Sequence, residues 1–545
     1  VDKIIGFSLT RLPEKAVPPP WLGTYSWIKV HNIEQAGWDI CFWGHGDLNK
    51  FGTSHGFVVG YSGVEMKTIS VVPLQNRGLV VSVTADDVTI TNDALGMLPV
   101  FYGRRANIPF VSTCEECVIL GLGGVTLDRA RLVQYLIFQS YVGTRSLWKE
   151  IDKLYANSTL VVSATGDFMV RSQPPLQFRR IETIQAIPTI HGITRRTIRC
   201  YTDPLDDVYL PLSRGKDSGM LLVHMQRLKR IHARTYGTGR PYSRDEEIVI
   251  AKARCKNIGV EDHRIIDFVG ETYQQYFQPQ IEWGGVPLSC TQAYIFGANT
   301  IIGSEGTHWP LISGSCGDIT AGGGTQRIWN LRTFRQAFHS DARDQQFKLA
   351  CYCQSKEWRH EALEKCIAFD TDAKLIQSEM RSEWTELWNA TEVGNQGVRI
   401  DLIRLRNRGS QYITYSWAAA DLWGCYVAPF TDREYVTTML SLPYKSRIKC
   451  RDQKLYAAER YPRIFPDGGV PRSAWDVRNT INNTTISEEA LWPLVADGSK
   501  PAHPYFEQAG IRALYQKALS GDAHSFFLLH SLQPIAWAID RGYVR

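Results

Sequence analysis

Apolar positions change their period partway along this chain. Through about residue 175 they come in short runs, alternating with polar positions or closed by turn residues, at 56–61, 78–84, 88–91, 99–102 and 159–163. Side chains of a strand alternate between two faces, so these runs predict strands. Thr91-Asn92-Asp93 and Ala164-Thr165-Gly166-Asp167 supply turns between them. One stretch, 127–139, carries apolar residues at helical spacing. SQPPLQF, residues 172–178, follows, and its paired prolines fit a domain edge.

From about residue 185 helices alternate with short apolar strands. Strands are predicted at 207–212, 232–236 and 264–268, and helices at 218–230 and 245–259. Alternation at this spacing implies a parallel sheet with helices on both faces. The last third reads as mostly helical, and no internal repeat or low-complexity tract is present.

Length changes this picture first. A chain of 545 residues exceeds what one core serves, and at roughly 100–200 residues per domain it predicts two to four domains. Hydrophobic residues at 44% and charged residues at 21% exclude a disordered chain. The net charge of +6, from 61 basic and 55 acidic residues, is spread thinly. It suits an anionic ligand and gives no ground for a nucleic-acid partner. No run reaches about 18 apolar residues, so no membrane span is expected, and VDKIIGFSLTRLPEK is too short in its apolar part for a secretory signal. Cys114/Cys117 and Cys351/Cys353 lack a matching second pair at zinc spacing. Buried thiols in a reducing cytoplasmic compartment are the expectation.

The candidate chemistry sits in DDVYLPLSRGKDSGMLL, read as strand, tight loop and helix. Ligands of open α/β sheets lie beyond the carboxyl ends of strands, where a helix N-terminus offers N–H groups to an anion. Leu212 leads into the loop, and Ser213, Gly215 and Ser218 let backbone approach a phosphate; the two serines also bring hydroxyls. Lys216 adds positive charge, and Asp217 a hard oxygen ligand for magnesium. The GxxxxGK(S/T) phosphate-loop pattern is absent. Taken alone, the segment also fits a strand–helix turn whose small residues serve packing.

PLSRGKDS resembles the SGGxDS pyrophosphate loop of the ATP pyrophosphatase superfamily, and the order of further segments resembles the asparagine synthetase family. RDEEIVIAKARCKNIG is similar to that family's acidic helix, with Glu246 and Glu247 at the acidic pair. LISGSCGDITAGGG is similar to its SGxGxDE loop, and VAPFTDREYVTTMLSLP to its PFxD segment. TNDALGMLPVFY and FVSTCEECVIL resemble parts of the glutaminase-type domain. The fold implied is α/β: an N-terminal α+β sandwich of the glutaminase (Ntn-like) type over 1–180, then a parallel-sheet ATP pyrophosphatase-type synthetase domain over 185–545 with a helical C-terminal part. The resemblance implies ATP and magnesium as cofactors. ATP would lie against Leu212, Ser213, Gly215, Lys216, Asp217, Ser218 and Gly314, with Asp217 and Asp318 as magnesium ligands and catalytic residues. A substrate carboxylate would attack the α-phosphorus, and an amine would then displace AMP.

Departures from the family refine the expectation. The sequence begins Val1-Asp2 and its first cysteine is Cys41, so no glutaminase activity is expected. Ile319 follows Asp318 where the family has glutamate, and relatives lacking that glutamate ligate an amine already in the substrate. Two such groups are the β-lactam synthetases and the lasso peptide cyclases. Ser315 stands where the β-lactam group has a catalytic tyrosine, which favours the cyclase. Residues 526–545 resemble the cyclases' amphipathic tail and fit a packing helix equally. Arg214 replaces a family glycine. The lysine of the family's C-terminal lid has no counterpart near FPDGGVPRSAW, where Arg472 is the nearest base and the candidate third catalytic residue; Lys454 falls in the preceding helix. The expected substrate is a peptide or small carboxylate, with a leader peptidase and a leader-binding protein as candidate partners. Amidation of a small acid, and a catalytically silent peptide-binding homologue, are the alternatives.

Overall fold

The computed structural model describes residues 3–46, 52–53, 56–60, 76–138, 141–225, 230–237, 245–267, 275–285, 293–306, 309–321, 382–383, 385–391, 393, 396–447, 450–465, 506–520 and 522–545. Its N-terminal part is built on β1 (Lys3–Arg11), β2 (Lys29–Gln35), β3 (Trp38–His45), β4 (Gly52–Thr53), β5 (Gly56–Gly60), β6 (Gly78–Val83), β7 (Asp87–Asn92), β8 (Phe101–Arg105), β9 (Ile108–Ser112), β10 (Ile151–Lys153), β11 (Ser158–Ser163) and β12 (Phe168–Ser172). Among the described residues these form two six-stranded antiparallel sheets, ordered β10-β8-β9-β1-β3-β2 and β12-β11-β7-β6-β5-β4.

Alternation explains the stacking. Phe7, Leu9, Ile40 and Phe42 of the first sheet meet Val59, Val81, Ile90 and Leu160 of the second in one core. Ile5, Cys41 and Trp43 point the other way, toward α1 (Glu115–Leu122) and α2 (Arg129–Phe138). Ile4 and Phe7 share the inner face although they lie three positions apart, because the β1–β3 register slips between Ile4 and Gly6. The runs predicted as strands here are strands, with shifted ends. β8 opens at Phe101, and α2 opens at Arg129 because the Asp128 carboxylate accepts the Arg131 N–H at 3.0 Å.

The second part continues with α3 (Ala186–Thr202), β13 (Asp207–Pro211), α4 (Lys216–His224), β14 (Arg230–Gly237), α5 (Glu246–Ile258), β15 (His263–Asp267), α6 (Phe277–Gly284), α7 (Ala293–Ser304), β16 (Pro310–Ile312), α8 (Gly317–Thr320), α9 (Gln396–Arg404) and β17 (Cys425–Val427). A π-helical stretch, Leu405–Thr414, extends α9. Then come α10 (Arg433–Ser441), α11 (Tyr444–Arg447), α12 (Arg451–Arg460), α13 (Gln508–Leu519) and α14 (Ala523–Asp540).

Five strands pair in parallel in the order β15-β14-β13-β16-β17. Val208, Leu210 and Ile312 pack with α3, α4 and α5 on one face, while Tyr209, Leu311 and Tyr426 face α6 and α7 on the other. The helix expected over 218–230 is a correction. It starts earlier, at Lys216, and ends at His224, while Arg230 opens β14 opposite Asp207. Strand pairing there overrides the helical spacing of the sequence. Asp245 caps α5 by accepting the Glu247 N–H at 3.0 Å, and Gly259, at φ +84°, ends it.

The two parts share their largest core, which runs from Ile5 and Trp43 through α1 and α2 to α6, α7 and α14. Asp421 joins them electrostatically. Lys3 Nζ lies 2.6 Å from its Oδ1, Arg77 donates to its Oδ2, and the Tyr426 N–H donates to Oδ1 at 2.8 Å. Burial alone would raise the Asp421 pKa, but Arg77 and then Lys3 outweigh it and hold the carboxyl below its ordinary value. Residues 526–545 pack rather than project: Leu529, Leu532 and Ile535 enter the shared core. Val125 exchanges backbone hydrogen bonds with Tyr543 and Arg545, each at 2.9 Å. Among the described residues no helix is long and apolar enough to cross a membrane.

Candidate functional site

The parallel sheet runs outward in opposite directions from β13 and β16, so the chain reverses its order between these neighbours. Beyond their carboxyl ends such a reversal leaves a crevice. Both candidate loops open into it, 211–218 after β13 and 313–318 after β16, and together they line a cleft of about 360 Å³. Bare backbone brings them together. A Cβ on Gly314 would sit 3.0 Å from both Asp217 Cβ and the Ser218 nitrogen, and one on Gly317 would sit 2.6 Å from Asp217 Cγ. The segment after β17 closes behind: the Ser313 N–H donates to the Val427 carbonyl at 2.9 Å, and Phe430 lies against Gly317.

The first loop spends its own N–H groups internally. Ser213 N–H donates to Ser218 Oγ at 3.1 Å, Arg214 N–H to Glu247 Oε2 at 2.6 Å, and Gly215 N–H to Ser213 Oγ at 3.1 Å. No capping side chain satisfies the first turn of α4, so the N–H groups of Lys216, Asp217 and Ser218 form the donor face at the helix start. Of the two donor sets that the sequence offered for an anion, loop backbone and helix N-terminus, the second is the one these bonds leave open.

Lys216 is also turned elsewhere than expected. Its ammonium is buried and donates to Asp217 Oδ1 at 2.7 Å, and it does not line the cleft. Burial would lower its pKa, but Asp217, Cys450 and Asp318 together raise it. Asp217, with a side chain 18% exposed, is pushed up first by burial and further by the charge of Asp318, with Lys216 opposing. Asp318 is exposed at the cleft. Magnesium commonly uses one or two protein carboxylates and completes its shell with phosphate oxygens and water. The Asp217/Asp318 pair fits that habit, and among the described residues no cluster of three or more His, Cys, Asp or Glu side chains offers an all-protein metal cage.

Arg214 is explained by the acidic pair. Its guanidinium pairs with Glu246 and its N–H with Glu247, so the side chain leaves the cleft. Arg254, which sequence reasoning missed, straps the loop from α5: its NH1 donates to the carbonyls of Ser213 and Gly215, both at 2.8 Å, and its guanidinium stacks on Phe465 at 4.8 Å. Burial lowers its pKa to about 10. Its signal in the sequence was position: Arg254 lies two helical turns beyond Glu247, on the same face of α5.

Arg472 lies outside the described residues. Cys450, at φ +48°, opens α12 and donates its thiol to the Asp318 carbonyl at 3.8 Å. Lys454 follows one turn along and acts electrostatically on that thiol. Cys316, at φ +65°, is a second non-glycine residue in the left-handed region beside Asp318. Ser315 and Ser313 share a hydroxyl hydrogen bond at 2.8 Å, and Ile319 is buried. Tyr236 and Trp417, stacked at 6.1 Å and 24°, form an aromatic wall with Tyr294.

No protein-family model matches the sequence. No curated protein matches it either. Among solved structures, one similarity is to glutamine phosphoribosylpyrophosphate amidotransferase from B. subtilis complexed with ADP and GMP: 8% identity, 48% of this chain and 90% of that one, TM-score 0.22. Another is to the allosteric regulatory enzyme of purine biosynthesis: 8% identity, 49% of this chain and 81% of that one, TM-score 0.21. Likenesses at these TM-scores carry no argument about fold or function.

Proposed function

We propose that the cleft between residues 211–218 and 313–318 binds ATP, and that the chain uses it to activate a carboxylate for amide-bond formation. One observation carries the reading. Two loops meet at the order reversal of a parallel sheet, on glycines that admit no Cβ, and bring two aspartates to an uncapped helix N-terminus. The triphosphate would lie at the start of α4, against first-turn N–H groups and the hydroxyls of Ser213 and Ser218. Arg254 keeps the loop carbonyls turned away from it. Asp217 and Asp318 would hold magnesium, whose charge neutralises the phosphates and the departing pyrophosphate. The substrate carboxylate attacks the α-phosphorus and pyrophosphate leaves. An amine nitrogen then attacks the acyl carbon, loses its proton and releases AMP.

Within this class the reading extends to a lasso peptide cyclase, in which a peptide's own N-terminal amine attacks its adenylated Asp or Glu side chain. Ile319 and Ser315 support it, standing where the ammonia-using and β-lactam-forming relatives carry other residues. The wall of Tyr236, Tyr294 and Trp417 gives a peptide apolar contact, and positioning the threaded chain would lower the barrier. Arg214, which stands where the family has glycine, is held by Glu246 outside the cleft. Amidation of a small free acid is the alternative, decided by the acceptor.

The experiment is ATP–pyrophosphate exchange with peptides bearing an early Asp or Glu, followed by mass spectrometry. Exchange, AMP release and loss of one water are expected with wild type and absent in Asp217→Asn. Absence of exchange with every carboxylate tried would sink the ligase reading.

A further inference from the structure

A second cavity, of about 240 Å³, lies between the N-terminal part and the start of the π-helical stretch, and shares no lining residue with the first cleft. Arg406 lines it while only 5% exposed. Its one hydrogen bond runs from Nε to the Ala94 carbonyl at 3.1 Å, and among the described residues no carboxylate pairs with it. Three other buried arginines pair with carboxylates: Arg77 with Asp421, Arg234 with Glu305 and Asp262, Arg447 with Asp401 at 2.9 Å. A guanidinium keeps its charge when buried, and the nearby carboxylate of Asp93 acts on Arg406 through space without pairing with it.

Two residues of the lining also carry oxygens, each with almost no accessible surface, that accept no hydrogen bond among the described residues. Glu383 holds Arg131 and Gln134 on Oε2, whereas its buried Oε1 accepts nothing. Asn157 spends its amide N–H groups on the carbonyls of Gln173 and Pro174, and its buried Oδ1 accepts nothing. Donors on one wall and bare acceptors on others set the polarity of the occupant. A phosphate or simple anion would satisfy Arg406 and set its oxygens against Glu383. A molecule with a carboxylate at one end and an ammonium at the other matches both.

We propose that this cavity binds a small zwitterion of the α-amino-acid class, its carboxylate on Arg406 and its ammonium facing Glu383 and Asn157. The volume suits a ligand below drug size. π-Helical turns gather at functional sites, and this one, Leu405–Thr414, carries Arg406 at one end and Ile413, a lining residue of the first cleft, at the other. The proposal is independent of what the first cleft binds.

Calorimetric titration of the full chain with each protein amino acid tests it, beside N-acetylated and methyl-esterified forms of any that binds, and inorganic phosphate. At least one free amino acid is expected to bind, and each blocked form to bind about tenfold more weakly or worse, since each loses a charge-assisted contact. Arg406→Gln should abolish binding and Glu383→Gln weaken it about tenfold. Arg406→Gln also breaks the Ala94 hydrogen bond, so Glu383→Gln and the blocked ligands on wild type keep the test decisive whether or not that variant folds. Binding by no amino acid, equal binding of blocked and free forms, or a preference for phosphate would overturn the proposal.

Discussion

Asp421 and Asp217 begin alike and end as opposites. Each has a buried lysine ammonium beside it, at 2.6 and 2.7 Å, and burial pushes up the pKa of each. Asp421 adds Arg77 and the Tyr426 N–H, and its pKa falls below the ordinary value. Asp217 faces Asp318, and its pKa rises above it. A carboxylate with cations in excess is a structural joint. One with a second carboxylate and too little cation is a place prepared for charge to arrive.

Asp421→Asn should break the comparison from the structural side with the largest effect. It strands Lys3 and Arg77 as buried cations, at a cost of about 3–5 kcal/mol in denaturant unfolding. Its pH signature has a definite sign. The folded pKa lies below the unfolded one, so Asp421 contributes fully above the unfolded aspartate value of about 3.9. That contribution disappears as pH falls through the folded pKa. The variant should therefore lose this part of the acid limb of the stability curve.

Asp217→Asn sharpens the other side. Charged Asp217 costs stability as pH rises through its raised folded pKa, but the variant also takes the ion-pair partner from buried Lys216, so it should melt below wild type by less than Asp421→Asn does. Magnesium-ATP binding should fall about a hundredfold or more, read by calorimetry. Arg254→Met comes next. Loss of two charge-assisted bonds to the loop carbonyls should raise KM for ATP about tenfold, with kcat changing less. Gly314→Ala is the smallest, about 1 kcal/mol in thermal unfolding, because its Cβ presses on Asp217 and the α4 backbone.

Periodicity exposed the parts of the fold that rest on local alternation: β6, β7, β11, β13 and α5 with its Asp245 cap. It failed where pairing partners decide, as at the end of α4 and at Arg230. Loop composition pointed to Asp217 and the family resemblance to Asp318, and the fold brings both to one cleft. Which way the loop's long side chains turn was not legible. Lys216 turns to its neighbour Asp217, and Arg214 to Glu246 on α5, which only the folded chain brings beside the loop. Arg406 and the Asp421 joint act across long sequence separations, and only the folded chain reveals those.

Equilibrium binding of ATP to the full chain, with and without magnesium, tests the central claim most directly when repeated with Asp217→Asn and Asp318→Asn. The account predicts a single magnesium-dependent site in wild type, weakened about a hundredfold or more in each variant while both variants stay folded at the assay temperature. Absence of ATP binding by wild type, or equal binding by all three proteins, would contradict it.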